Sequence, residues 1–185
     1  MSASRSAIAL ALLLCGSAAA DDRPAAGLKA AKVKPTPGCS GTVSGPAKGA
    51  FACRIDVRVR GDGSMRVFLA PARVPRGLRA LLPGELEVPA PAQPGVYDLS
   101  RLTSARVLLT DARHRTFVAE AVKAKAGRPA SRRGEVELRI DAVRAAEGAP
   151  VGGHPGSAAA LSGSLRARLV AADGKGRDAV VDVKF

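Results

Sequence analysis

The run Phe51-Ala52-Cys53-Arg54-Ile55-Asp56-Val57-Arg58-Val59-Arg60 decides the fold. Successive side chains of an extended strand point to opposite faces. Phe51, Cys53, Ile55, Val57 and Val59 therefore share one face, and Arg54, Asp56, Arg58 and Arg60 share the other. A helix would scatter both sets around its circumference, so this is a half-buried strand. The pattern returns in Glu135–Asp141, with Val136, Leu138 and Ile140 inward, and in Leu161–Leu169, with Leu161, Gly163, Leu165, Ala167 and Leu169 inward and Ser162, Ser164, Arg166 and Arg168 outward. It closes the chain with Val181, Val183 and Phe185 inward and Asp182 and Lys184 outward.

Turn chemistry stands where antiparallel pairing needs it. Gly61-Asp62-Gly63 separates the first strand from Met65–Leu69 and predicts a hairpin. Asp111–Arg115 separates Ala105–Thr110 from Thr116–Ala121, and Asp173-Gly174-Lys175-Gly176 separates the last two strands. The middle is broken by Pro71, Pro75, Pro83, Pro89, Pro91 and Pro94. There, Arg76 to Leu82 is compatible with one or two helical turns stopped by Pro83-Gly84. Glu85–Val88 and Val96–Leu99 read as short edge strands at best, because proline cannot donate to a sheet ladder. The expected fold is all-β, an antiparallel β-sandwich. A barrel is the less favoured alternative, since the prolines and uneven strand lengths oppose clean closure.

The N-terminus carries Arg5, an unbroken apolar run from Ala7 to Cys15 and a small-residue stretch from Gly16 to Ala20. This is the layout of a cleavable signal peptide over residues 1–20, with Ala18 and Ala20 meeting the small-x-small requirement. The apolar run is too short to span a bilayer, which takes about 20 apolar residues. Lipid anchoring at Cys15 is the alternative; Leu14 before it does not suit that cleavage. Residues 21–38, rich in Ala, Lys and Pro, have little to bury and read as a flexible leader. Residues 39–185 then form a single domain. An exported chain with two remaining cysteines predicts a disulfide between Cys39 and Cys53.

Catalytic chemistry finds few candidates. Of the two histidines, His114 lies between Arg113 and Arg115 in a turn and His154 lies in a glycine-rich loop, and neither setting suggests a poised base. The turn residues Asp62, Asp111, Asp173 and Asp178 match no calcium-loop spacing, and aspartate in a turn usually accepts bonds from its own backbone. The pairs Glu85/Glu87 and Glu135/Glu137 each lie two apart on one strand face, where a solvated sheet surface is the simpler reading than a hydrolytic pair. No catalytic residue, metal ligand or cofactor site is implied.

Arginine is the remaining feature. The chain carries 29 Lys and Arg against 16 Asp and Glu, a formal net charge of +13 that falls by one if residues 1–20 are removed. Arg54, Arg58, Arg60 and Arg66 face outward on neighbouring strands, Arg166 and Arg168 on another, and Arg128, Arg132 and Arg133 cluster in the Gly127–Gly134 loop. Such a field attracts anionic polymers or lipid headgroups, and guanidinium groups grip phosphate and carboxylate bidentately. With no Trp, one Tyr and four Phe that mostly look buried, specific nucleic-acid recognition is not expected. The bland alternative is that outward arginines reflect composition and keep sheet edges soluble.

The segments Gly38–Gly45 and Gly49–Cys53, together with Ser162–Leu169 and Val180–Phe185, resemble the opening and the ending of a class of small exported bacterial β-proteins of uncharacterised activity. The resemblance implies an exported β-fold and no particular chemistry. The functional expectation is a non-enzymatic envelope or secreted protein, structural or binding, whose partner is an anionic surface polymer or a protein. The alternative is an extracytoplasmic hydrolase, or an enzyme inhibitor presenting the Gly127–Gly134 loop.

Overall fold

The computed structural model describes residues 35–122, 130–145 and 157–185. The expected signal peptide over residues 1–20 with Cys15, the expected leader up to residue 34, residues 127–129 of the arginine-rich stretch and residues 148–156 with His154 lie outside the described residues. The chain forms β1 (Ser40–Ser44), β2 (Gly49–Val59), β3 (Met65–Pro71), β4 (Leu78–Val88), β5 (Gly95–Asp98), β6 (Ser104–Asp111), β7 (Thr116–Val122), β8 (Ser131–Arg133), β9 (Glu135–Ala145), β10 (Ser157–Ala171) and β11 (Ala179–Lys184). There is no helix among the described residues. The fold is an antiparallel β-sandwich.

One layer runs β5-β9-β10-β11-β1-β2 and the other β2-β3-β4-β6-β7-β8. Two long strands serve both. In β2, Gly49–Ala52 pairs with β1, whereas Cys53–Val59 pairs with β3. In β10, Ser157 and Ala158 pair with Val59 and Arg58 of β2, and Val170 and Ala171 pair with Val118 and Phe117 of β7. The layers are thus hydrogen-bonded to each other at their corners as well as stacked. Between them lies the core, in which Met65, Leu69 and Phe117 of one layer meet Leu138, Ile140 and Leu165 of the other, all essentially inaccessible to solvent. Each such side chain contributes about 1.5–3 kcal/mol by leaving water.

The corners depend on backbone that no side chain can share. Gly134 joins β8, which pairs with β7, to β9, which pairs with β10. It sits where β7 and β10 part, with φ +67°, and a Cβ there would collide with the Arg168 carbonyl oxygen and lie 2.9 Å from Ala119 Cβ. At Gly163 the β9–β10 register shifts, its N–H and C=O exchange bonds of 2.7 and 3.0 Å with Phe185, and a Cβ would collide with the Arg139 carbonyl.

The alternation in Phe51–Arg60, Glu135–Asp141 and Leu161–Leu169 is realised as read, and all three predicted hairpins form. The helical turn at Arg76–Leu82 does not. That stretch opens β4, and Glu85–Val88 belongs to the same strand, held between β3 and β6 rather than at an edge. Pro83 is accommodated because the β4–β6 register shifts between Leu82 and Glu85, so no ladder bond is asked of its nitrogen. Val96 does lie in an edge strand, β5.

The disulfide expected from sequence joins Cys39 to Cys53, with Cα atoms 5.1 Å apart and both residues buried. It compares with the oxidising surroundings in which such bonds persist. Backbone bonds flank it: Cys53 N–H donates to Cys39 O, and Thr36 N–H donates to Cys53 O. The Thr36 hydroxyl also accepts from Ile55 N–H at 3.1 Å, so the chain engages β2 a few residues before Cys39.

Candidate functional site: the cationic surfaces

Arg54, Arg58, Arg60 and Arg66 lie together on the outside of the β2–β3 hairpin, as their parity requires, and Arg166 and Arg168 lie apart from them on β10. Neither group is a bare basic face. Antiparallel register sets Arg66 beside Glu87, Phe68 beside Asp56 and Glu85, and Arg106 between Glu85 and Glu120. Arg66 pairs with Glu85, Arg60 with Glu87, and Arg58 with Asp56 at 3.5 Å. On β10, Arg168 reaches Asp178 at 2.7 Å and Glu135 at 3.5 Å, and Arg166 reaches Asp182 at 3.7 Å. Of the six sequence candidates, only Arg54 has no carboxylate partner among the described residues. The strand faces are mixed-charge lattices.

Phe68 stands in the middle of the larger lattice with 41% of its surface exposed. Together with Asp56, Arg58, Arg66 and Glu85 it lines a shallow depression of about 270 Å³. Parity makes it legible, since Met65, Val67 and Leu69 are buried and Phe68 must then share the outer face with Arg66. The broader impression that the phenylalanines are mostly buried holds for Phe51 and Phe117.

The carboxylates are dispersed. Glu85 and Glu87 sit on β4 of one layer, Glu135 and Glu137 on β9 of the other. The turn aspartates are occupied by their own turns. Asp62 accepts the Ser64 hydroxyl at 2.6 Å and its N–H at 2.8 Å, and these bonds hold its carboxyl below the usual value of 3.8. Asp98 is lowered in the same way by the Ser100 hydroxyl and N–H and by the Arg101 N–H. Asp173 accepts from Lys175 N–H. Asp111 is buried, which alone would raise it; bonds from the N–H groups of Arg115 and Arg113 and from the Arg115 guanidinium outweigh that and lower it. His114 lies exposed in this turn at φ +63°. No three His, Cys, Asp or Glu residues gather as a metal-ligand set among the described residues.

Six exposed cations without a side-chain carboxylate partner among the described residues gather elsewhere, while Arg79, Arg106, Arg144 and Lys184 are dispersed singly along strands and Arg132 and Arg133 stand together on β8. Lys48, Arg73, Arg76, Arg113, Lys175 and Arg177 are exposed in four turns, β1–β2, β3–β4, β6–β7 and β10–β11. These turns touch in series around one end of the sandwich. Gly45 abuts Asp178 and Ala179, Gly49 abuts Pro75, Ala112 N–H donates to Gly77 O, and Ala172 N–H donates to Thr116 O. Sequence reasoning missed this grouping, because the four turns are far apart in the chain and each shows only one or two cations. Compared with protein-family models, curated proteins and solved structures, the chain matches none.

Proposed function

We propose that the protein is an exported, non-enzymatic binding or structural module of the bacterial envelope that contacts anionic partners through its cationic surface. The observation carrying this reading is the contrast between its acids and its bases. Carboxylates are dispersed over two layers and, Glu120 and Glu137 excepted among the described residues, are paired with arginine or bonded to their own turns, whereas six exposed cations gathered at one end have no such partner among the described residues. A hydrolytic pair needs two carboxyl groups facing one substrate bond across about 5–10 Å. Glu85/Glu87 and Glu135/Glu137 stand on opposite layers, and within the pairs Glu85, Glu87 and Glu135 are each engaged by an arginine. The buried Cys39–Cys53 bridge accords with export to an oxidising compartment.

Ion-exchange retention tests the charge-based part. The exported protein is expected to be held on an immobilised anionic polymer at low ionic strength and released as salt rises past the point where the Debye length falls below about 8 Å. Absence of retention on any anionic matrix at low salt overturns it.

A further inference from the structure

Four turns bring Lys48, Arg73, Arg76, Arg113, Lys175 and Arg177 to one end of the sandwich, and the β3–β4 turn among them presents an aliphatic tip. Val74 is 38% exposed between Arg73 and Arg76, while Pro75 behind it is buried against Gly49. The aromatic side chains lie elsewhere: Phe68 on the outer face of β3, Tyr97 on β5, Phe51 and Phe117 in the core. Apart from the exposed His114 imidazole of the β6–β7 turn, this end therefore offers no aromatic ring on which a base or a sugar would stack. Its cations are spread around a rim of turns instead of following one groove, so they match a sheet of negative charge better than a single strand of it. An exposed aliphatic group framed by guanidinium groups is the arrangement that enters a headgroup layer while its neighbours hold phosphates.

We propose that this end of the sandwich docks on an anionic phospholipid surface, with the six cations meeting headgroup phosphates and Val74 entering between them. The proposal deepens the reading of the protein as an anion-contacting envelope module and rests on it, but it moves the contact from the strand faces to the turns. On the strand faces, Arg58, Arg60, Arg66, Arg166 and Arg168 already answer to carboxylates.

The test uses the full chain, expressed with its own N-terminus and recovered after export. Co-sedimentation is measured with phosphatidylcholine vesicles, with and without phosphatidylglycerol, alongside retention on a soluble anionic polymer matrix. Binding is expected only to the phosphatidylglycerol vesicles and is expected to weaken with salt. Each cation near a charged membrane is worth about fivefold in binding, so Arg73→Ser with Arg76→Ser should cost about 25-fold. The paired face arginines, Arg58→Ser with Arg66→Ser, should change binding by less than about threefold. Val74→Ser should weaken vesicle binding several-fold and leave polymer retention unchanged. Thermal unfolding of each variant confirms that it is folded; all five positions are exposed.

Equal loss from the face pair and the turn pair overturns the placement. Equal binding to vesicles with and without phosphatidylglycerol overturns the electrostatic contact. Retention on the polymer without vesicle binding overturns the lipid partner and leaves the broader reading standing. Failure on both removes the two together.

Discussion

The corners of the sandwich and its outer faces are made by the same strands under opposite constraints. At the corners, backbone meets backbone: Gly134 fits between Ala119 and the Arg168 carbonyl, and Gly163 is pressed against the Arg139 carbonyl and paired with Phe185. On the faces, Arg66, Glu85 and their neighbours stand partly in water, where one long side chain can move without disturbing another. Specificity of fold resides at the corners, and the faces are free to be used for solubility or contact. The comparison ranks the effects of substitution, and each of the following measurements either sharpens the ranking or breaks it.

The largest loss is expected at Gly134. A residue with a Cβ in the left-handed region costs about 1–2 kcal/mol from its own backbone. The collision with Arg168 O adds to this, so Gly134→Ala should lose more than about 3 kcal/mol in urea unfolding or fail to accumulate folded. A loss below about 1 kcal/mol would show that the fork between β7 and β10 relaxes, and the corner would lose its special standing. Next comes the bridge. Cys39→Ser with Cys53→Ser opens a loop of about 15 residues and should cost about 3 kcal/mol, read as a lower urea midpoint matching that of the reduced wild type.

A smaller effect belongs to the turn aspartates. Asp111, Asp62 and Asp98 are all held below the usual carboxyl value of 3.8 in the folded protein. A group whose pKa is depressed on folding stabilises the fold above its unfolded value, and that contribution disappears as pH falls through the folded value. Stability should therefore decline as pH drops below about 3.8. Asp111→Asn should flatten that decline without abolishing it, because Asp62 and Asp98 are also held below their usual value. An unchanged acid profile in Asp111→Asn would mean that its bonds to Arg113 and Arg115 are equally formed when it is neutral.

Parity explains what sequence made legible. In Phe51–Arg60 the identity of one inward residue assigns every other, so strand, face and the outward arginines follow together, and the same logic places Phe68 outside. Long-range register is a different matter. Arg66 is matched to Glu85 and Arg168 to Asp178 and Glu135 by pairings that no local pattern encodes. Hence the arginines were located correctly while their charge was overrated. Pro83-Gly84 misled because the local rule for a ladder was broken at a bulge, where the rule does not apply. Gly134 carried no signal, since a glycine in an arginine-rich loop and one at a corner look alike until β7 and β10 are known to part there.

The smallest effect is expected on the face. Arg66 and Glu85 are both a third or more exposed, with side-chain accessibilities of 53% and 36%. In water the attraction of such a pair is offset by the entropy of holding two long side chains and is screened by salt. A double-mutant cycle of Arg66→Ala and Glu85→Ala should give a coupling below about 1 kcal/mol, smaller still in high salt. The single variants should differ little, because each leaves a charge that water solvates. A coupling above about 2 kcal/mol, insensitive to salt, would mean that the Phe68 neighbourhood excludes water from the pair. The faces would then be as constrained as the corners, and the arginines there would owe their presence to the fold itself. With the weak coupling expected, stability asks only that these positions be polar. Arginine at them then serves to keep the sheet surface soluble, and contact falls to the turns, whose six cations have no carboxylate partner among the described residues.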